Sequence, residues 1–499
     1  MDLPFELLHQ IASYLSPAES TNVGLTCRRM YPVFINSRYR DIIFLTPRDD
    51  AAWDLCRRIC LLLRTLLLNP LLRPLVHRFE IHYSNIEYKD SFPDPLWTTE
   101  EFAPGELGYN HNCWLGEKGL KQLKAHIRTE QSQADALWFD CLDYGQKGAT
   151  IAVLLSLMPN LEFLYLDVGL HVSTISFARL TQHAISRLQS ESQSQSRSPS
   201  QSPIPLANLK HVTYAPLRGK FFGKYSGEDE PYDLDSVMFD PNQIPLLFYL
   251  PRIQSIAGLM PHYPDFSWTD ISCLPPSLST RPNATTLTSL RLRNSPLGAS
   301  ELKVLLSATP NLQSLFYEVI PPFKTLSMDA WVQPFQRGLV WEFDTSMLAP
   351  ALHQVPALQE LHIRYNLPSL EDSEIQITRL SLAPLTRLRK LAMQLPLLMW
   401  GRPEDGPPTL DSLPPSLESL TILDWEGSYV TEYPEDLIEG VRPFLESRGN
   451  GQSALEEVSM APAYLYETAE TTPEEAIEKV WERWEDLGRR NGVVCVARW

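Results

Sequence analysis

The 499 residues carry 43 Lys and Arg against 60 Asp and Glu, a net charge of −17, with 43% hydrophobic and 21% charged residues. That balance is globular, the length exceeds one ordinary core, and two to four domains or one repeat array is expected. The acidic excess excludes a general nucleic-acid binder, and no window of about 20 residues is free of charge, so no membrane span is expected.

The chain opens MDLPFELLHQIASYLSPAESTNVGLTCRRMYPVF. A secretion signal needs positive charge and then a continuous apolar run. Asp2 and Glu6 stand where the positive charge would be, and the apolar residues are spaced. Leu7, Leu8, Ile11, Ala12 and Leu15 recur at helical spacing, with Pro4 suited to the helix start. Ser16, Pro17 and Glu19 read as a second helix start, with Ser16 as cap. Gly24 sits inside that second helix and is a candidate for ending it early. A third short helix is expected from Thr26 to Pro32.

The residues Leu3-Pro4-x-Glu6-Leu7-Leu8-x-x-Ile11-x-x-Tyr14-Leu15 and Leu25-x-Cys27-Arg28-Arg29 resemble an F-box over roughly residues 2 to 40. The resemblance implies docking onto a Skp-type adaptor of a cullin–RING ubiquitin ligase. It places adaptor contacts at Leu3, Pro4, Leu7, Ile11 and Leu15, and at Leu25, Cys27 and Arg28. The expected domains are an F-box over 1–40 and a second region over 41–499.

Seven cysteines, an odd number with no Cys-x-x-Cys pair, read as reduced thiols in the cytosol or nucleus. Cys56 and Cys60 lie one turn apart on an apolar helix and are expected in a core.

Residues 41–499 repeat a phrase. Leu161-Glu-Phe-Leu164-Tyr-Leu166 follows Pro159-Asn160. Leu312-Gln-Ser-Leu315-Phe-Tyr317 follows Pro310-Asn311, and Leu358-Gln-Glu-Leu361-His-Ile363 follows Pro356-Ala357. Weaker copies begin at Leu209, Ile253, Leu287, Leu388, Leu417 and Leu455, and fainter ones at Val76 and Ala134. The form L-x-x-L-x-L is similar to the strand of a leucine-rich repeat. Between the phrases lie helix-like stretches, among them Ala51 to Leu68, Glu117 to Thr129 and Ala299 to Ser307. The intervals are uneven, and the asparagine expected at the ninth position is present at Asn366 but hardly elsewhere. The fold class expected is α/β: a three-helix F-box, then an irregular leucine-rich-repeat-like solenoid, as in fungal F-box/leucine-rich-repeat proteins. An unrelated α/β domain with leucine-rich strands is the alternative.

Two polar segments interrupt the repeat. Residues 189–205 are a Ser/Gln-rich run expected to be disordered, with Ser198-Pro199 and Ser202-Pro203 as candidate phosphosites. Residues 226–235 read as an acidic loop. At the other end, residues 472–499 read as a capping helix and strand. Thr472-Pro473-Glu474-Glu475 starts the helix, Trp481 and Trp484 lie on its apolar stripe, and Asn491-Gly492 stops it.

No motif carries chemistry. Gly219-Lys-Phe-Phe-Gly223-Lys224 is one residue short of a phosphate loop and lacks the Ser or Thr after the lysine. The expectation is a non-enzyme with no catalytic residue, metal or cofactor. In each L-x-x-L-x-L the residues flanking the sixth position face away from the core. Along the chain this places Arg291, Arg293, Phe316, His362, Arg364 and Lys390 on neighbouring strands. The expected role is capture of a target protein's acidic or phosphorylated segment by these side chains. The function expected is a ubiquitin-ligase substrate receptor. A repeat-based scaffold with a non-ubiquitin use of the F-box, and an enzyme with an unrecognised site, are the alternatives.

Overall fold

The computed structural model describes residues 4–15, 17–26, 31–46, 51–83, 111–130, 147–167, 174–193, 203–215, 243–258, 266–268, 281–295, 297–319, 347–365, 380–394, 413–423, 441–442, 445–446, 454–461 and 474–497. They divide into two compact units, Met1–Gln254 with Cys273–Pro276, and Ser255–Ser272 with Ser277–Trp499.

The first unit begins with three helices: α1 (Phe5–Tyr14), α2 (Pro17–Thr26) and α3 (Tyr31–Arg40). Leu8, Ala12, Val33 and Phe34 form their small core, with Leu15 and Val23 packed against it. Gly24 does not end α2. It is buried where α2 meets α3, and a Cβ there would lie 3.3 Å from the Phe34 Cβ. The third helix starts later than its sequence suggests. Pro32 is the second residue of α3, not its stop, because a helix's first amides need no intrahelical partner. Met30, Cys27 and the Ser16 cap lie outside the described residues.

Strand β1 (Asp41–Thr46) follows directly, then α4 (Ala51–Leu68), a 3-10 turn (Pro70–Leu75) and β2 (Arg78–Tyr83). Helices α5 (His111–Glu130) and α6 (Lys147–Ser156) lead to β3 (Phe163–Asp167). Gly116 breaks α5 with φ +66°, a left-handed angle that glycine adopts without Cβ strain, so the regular helix begins at Glu117. Helix α7 (Thr174–Gln193), β4 (His211–Ala215) and the short α8 (Gln243–Leu247) complete the unit. The four strands pair in chain order, all parallel. Helix α4 lies against α5 and α6, α6 against α7, and α7 against α8.

The low-complexity run is ordered at both ends. Residues through Gln193 continue α7, and Ile204 and Pro205 are buried. Helix already under way carries polar residues at little cost, and two apolar side chains anchor the return. Residues 194–202, 226–235, Asn366 and the faint copy at Ala134 lie outside the described residues.

The second unit holds β5 (Ser255–Gly258), β6 (Ser289–Ser295), α9 (Ala299–Leu306), β7 (Ser314–Val319), α10 (Leu348–Leu352) and β8 (Glu360–Tyr365). Then come β9 (Lys390–Gln394), β10 (Ser419–Leu423), β11 (Glu457–Ala461), α11 (Glu474–Asn491) and β12 (Val494–Ala497). These eight strands also pair parallel in chain order.

Both units are built by the same repeat. Among the described residues the leading apolar positions of the phrases, from Val76 to Leu455, are buried, as are Leu164, Leu290, Leu315 and Leu361 at the fourth. Before several strands, one backbone carbonyl accepts two successive amides of the next turn: His77 O from Glu162 and Phe163, Gln313 O from Gln359 and Glu360. An asparagine just before three of the phrases adds a side-chain staple. Asn160 Nδ2 donates to Pro74 O at 2.8 Å, Asn208 Nδ2 to Pro159 O at 2.9 Å, and Asn311 Nδ2 to Thr285 O at 2.9 Å. In each case the acceptor lies two residues before the leading apolar residue of the preceding phrase. Neighbouring turns are thereby tied outside the sheet ladder.

At the end of the second unit, Gly492 takes φ +67° after α11 and releases the chain into β12. Gly488 lets α11 close on that strand, since a Cβ there would lie 2.4 Å from the Cys495 sulfur. Trp484 is fully buried. Trp481 is helical, and its side chain is outside the described set.

Candidate functional sites

Helix α1 has two apolar stripes with opposite surroundings. Pro4 precedes the helix at φ −56° and ψ 150°, and its carbonyl accepts the Leu8 amide at 3.2 Å. Leu8 and Ala12, one turn apart, point into the three-helix core. Leu7, Ile11 and Tyr14 follow each other at i, i+4, i+7 and are 44%, 41% and 80% exposed. Tyr31, at the start of α3, is 51% exposed. Exposed Pro4 continues this face at the helix entry. Single exposed apolar side chains are ordinary; a spaced row of three on one helix is a contact-ready surface.

Of the other residues expected to meet a partner, Leu15 is half-buried against the small core. Leu25 lies in α2, its side chain outside the described set. Leu3, Cys27 and Arg28 lie outside the described residues. Tyr14 and Tyr31 were not among the expected contacts, though Tyr14 follows Leu7 and Ile11 at helical spacing.

The second candidate is the open face of β6 to β9. Arg291, Phe316, His362 and Ala392 stand opposite one another across four strands. Glu318 and Arg364 form the next rung. Alternation sends Leu290, Leu292, Leu315, Tyr317, Leu361 and Ile363 into the core and leaves the charged residues outside. The Phe316 and His362 rings stack with centroids 4.2 Å apart and 26° between planes. The Arg293 guanidinium lies 5.7 Å from the Phe316 centroid. All six expected residues therefore lie on one face.

Sequence reasoning saw Glu318 on this face but missed Glu360. Glu360 sits one rung before His362, and its carboxylate holds the Lys390 ammonium at 2.8 Å. That hydrogen bond from Lys390 pulls the Glu360 carboxyl below its ordinary range. Lys390 is thus already paired. Arg291, Arg293 and Arg364 make no ion pair among the described residues. Burial, then Arg364, Arg291 and Arg293, push the His362 imidazole down to about 4, so it is neutral near pH 7. Its Nε2 is buried and has no hydrogen-bond partner among the described residues.

The open face of the first unit is organised differently. Glu80 on β2 is 4% exposed although it points away from the helices. Its carboxylate accepts from Arg78 Nε at 2.5 Å and lies 2.6 Å from His82 Nε2. His82 stacks on Tyr165 at 4.2 Å, and Arg78 lies over Phe163 at 4.5 Å. Both carboxylate oxygens are engaged, so this cluster is closed. One step before the strands, Glu162 bridges His77 at 3.3 Å and Lys210 at 2.6 Å, and the Lys210 bond lowers its carboxyl.

Among the described residues there is no group of three His, Cys, Asp or Glu arranged to hold a metal, and no helix is long and apolar enough to cross a membrane.

An F-box-like family model matches residues 1–45, which takes in α1, α2, α3 and most of β1. No match to a curated protein is found.

Proposed function

We propose that this chain is the substrate-recognition subunit of a Skp–cullin–F-box ubiquitin ligase, acting in the cytoplasm or nucleus. F-box domains generally bind Skp-type adaptors. The observation that carries the reading is the exposed stripe Leu7, Ile11 and Tyr14, lying inside the segment that matches the F-box-like family. Three short helices bury little surface alone, and a partner that covers this stripe adds roughly 1.5–3 kcal/mol for each large side chain it fully buries. The adaptor supplies the link to a cullin–RING ligase. The leucine-rich-repeat-like region then holds the target on its open face, with Arg291, Arg293 and Arg364 contacting an anionic segment. The chain itself performs no bond chemistry and needs no cofactor. It acts by raising the effective concentration of target beside a ubiquitin-conjugating enzyme.

Ubiquitin-remnant profiling of cells expressing the full chain, or its Leu7→Asp, Ile11→Asp variant, tests this. A set of proteins ubiquitinated only with the unaltered chain is expected. Identical profiles would leave the chain as a scaffold.

A further inference from the structure

We propose that a second copy of this chain pairs with the free edge of β12 about a two-fold axis, so that two chains form one dimer. β12 is a terminal strand and pairs with β11 alone among the described residues. Val494 N donates to Glu456 O at 2.9 Å, on the β11 side. The amide and carbonyl of Cys495, one residue on, therefore face the other way, where no described strand meets them. Such a row of unpaired backbone groups is a template for another strand.

Sheet edges are ordinarily guarded by a charge, a proline, a bulge or a covering element. β12 reads Val494-Cys495-Val496-Ala497, with no charge and no proline, and its register with β11 is unbroken. Val494 is 61% exposed, alone among the described large apolar side chains of the second unit. The open face beside it is small and uncharged. Val496 shares a rung with Ser459 and Thr421, whose hydroxyls lie 2.9 Å apart. The first strand differs: β1 starts on Asp41 and has α3 packed against it.

Two observations select a second copy over an unrelated strand. The strand is complementary to itself. Antiparallel pairing with the axis at Cys495 sets Val494 opposite the partner's Val496, and Cys495 opposite the partner's Cys495, apolar against apolar on both faces. Helix α11 is also complementary to itself in charge. Gly488 fixes its level, since a Cβ there would lie 2.9 Å from the Cys495 Cβ. Glu482 stands about 9 Å along the helix from Gly488, and Arg490 about 3 Å the opposite way. The two-fold reverses one helix, which brings each Glu482 level with the partner's Arg490. Glu482 is exposed and makes no ion pair among the described residues. Arg489 and Arg490 share the single carboxylate of Asp486, so that turn keeps a surplus positive charge. The pairing does not depend on the receptor reading; where that reading holds, the dimer gives avidity for a target with two sites.

Sedimentation velocity of the full chain over a concentration series tests this. The mass is expected to rise from one chain to two and stop there. Val494→Lys sets a charge in the new ladder but stands beside Glu457 on its own rung, so its melting curve should match the unaltered chain. It should weaken the dimer about tenfold or more. Glu482→Arg should also weaken it, and adding Arg490→Glu should restore it. Val494→Cys with Val496→Cys should cross-link two chains on mild oxidation with copper-phenanthroline, because those positions face each other across the axis with Cα atoms about 4.5 Å apart. A single-chain mass at every concentration overturns the proposal. A mass that grows past two chains replaces the two-fold pairing with open head-to-tail stacking. A dimer that survives Val494→Lys, or that the paired cysteines fail to cross-link, overturns β12 as the interface.

Discussion

Leu7 and Leu8 are neighbours in the chain with opposite surroundings: Leu7 is 44% exposed and Leu8 is 3% exposed. The same helix therefore uses one leucine for its own fold and keeps the other for contact. Leu8→Ala should destabilise the helical module by about 2–5 kcal/mol through the cavity it leaves beside Val33 and Phe34. Leu7→Ala should shift stability by no more than about 0.5 kcal/mol, as surface changes do. Hydrogen exchange of α1 amides in the full chain separates the two; equal protection loss for both variants would contradict this division of the helix.

The repeat was largely legible because its strands obey a period of two. The phrases at Leu161, Leu312 and Leu358 become β3, β7 and β8, and the weaker copies from Leu209 to Leu455 also become strands. The helix expected from Ala51 to Leu68 has those bounds. β1 was not anticipated, since Asp41–Thr46 lacks the leading leucine of the phrase. Pro32 misled because the same residue can follow a helix or begin one. Glu80 and Glu360 were invisible as site residues because their roles depend on cross-strand register, which the phrases mark only loosely when spacing is uneven.

Asn160, Asn208 and Asn311 staple successive turns together. Each Asn→Ala change should cost roughly 1 kcal/mol by removing a donor to a backbone carbonyl. Asn208 also accepts from Arg252 at 2.6 Å, so it should cost the most of the three. Urea denaturation of the single variants measures this; a smaller loss at Asn208 than at Asn160 would count against the staple.

Tyr317 is wholly buried in the second unit, and its hydroxyl donates to Leu297 O at 2.5 Å. Burial, with Glu301 nearby, raises its pKa, so the phenol stays protonated. Tyr317→Phe leaves that carbonyl without its donor and should cost about 1–3 kcal/mol. Thermal unfolding reads the loss; an unchanged midpoint would mean another donor takes over.

His362 ties the stability of the second unit to pH. Burial and the three arginines hold its folded pKa at about 4, against roughly 6.5 in an unfolded chain. Between those values the unfolded chain binds a proton that the folded chain does not. Stability is therefore full above about pH 6.5 and falls as the pH drops toward 4, with a limiting slope of roughly 1.4 kcal/mol per pH unit. Urea midpoints at about pH 7 and about pH 5 should differ less in His362→Phe than in the unaltered chain. An equal difference in both would assign the slope to other groups.

Docking through α1 is tested most directly by calorimetric titration of a purified Skp-type adaptor into the full chain and into its Leu7→Asp, Ile11→Asp variant. Two apolar contacts of about 1.5–3 kcal/mol each predict a loss of roughly a hundredfold or more in affinity. Leu8 and Ala12 remain in the variant's small core, so its circular dichroism and melting curve should match the unaltered chain. Tight binding by the unaltered chain and none by the variant is the predicted result. Equal affinity for both, or no binding by the unaltered chain, would contradict adaptor docking by this helix.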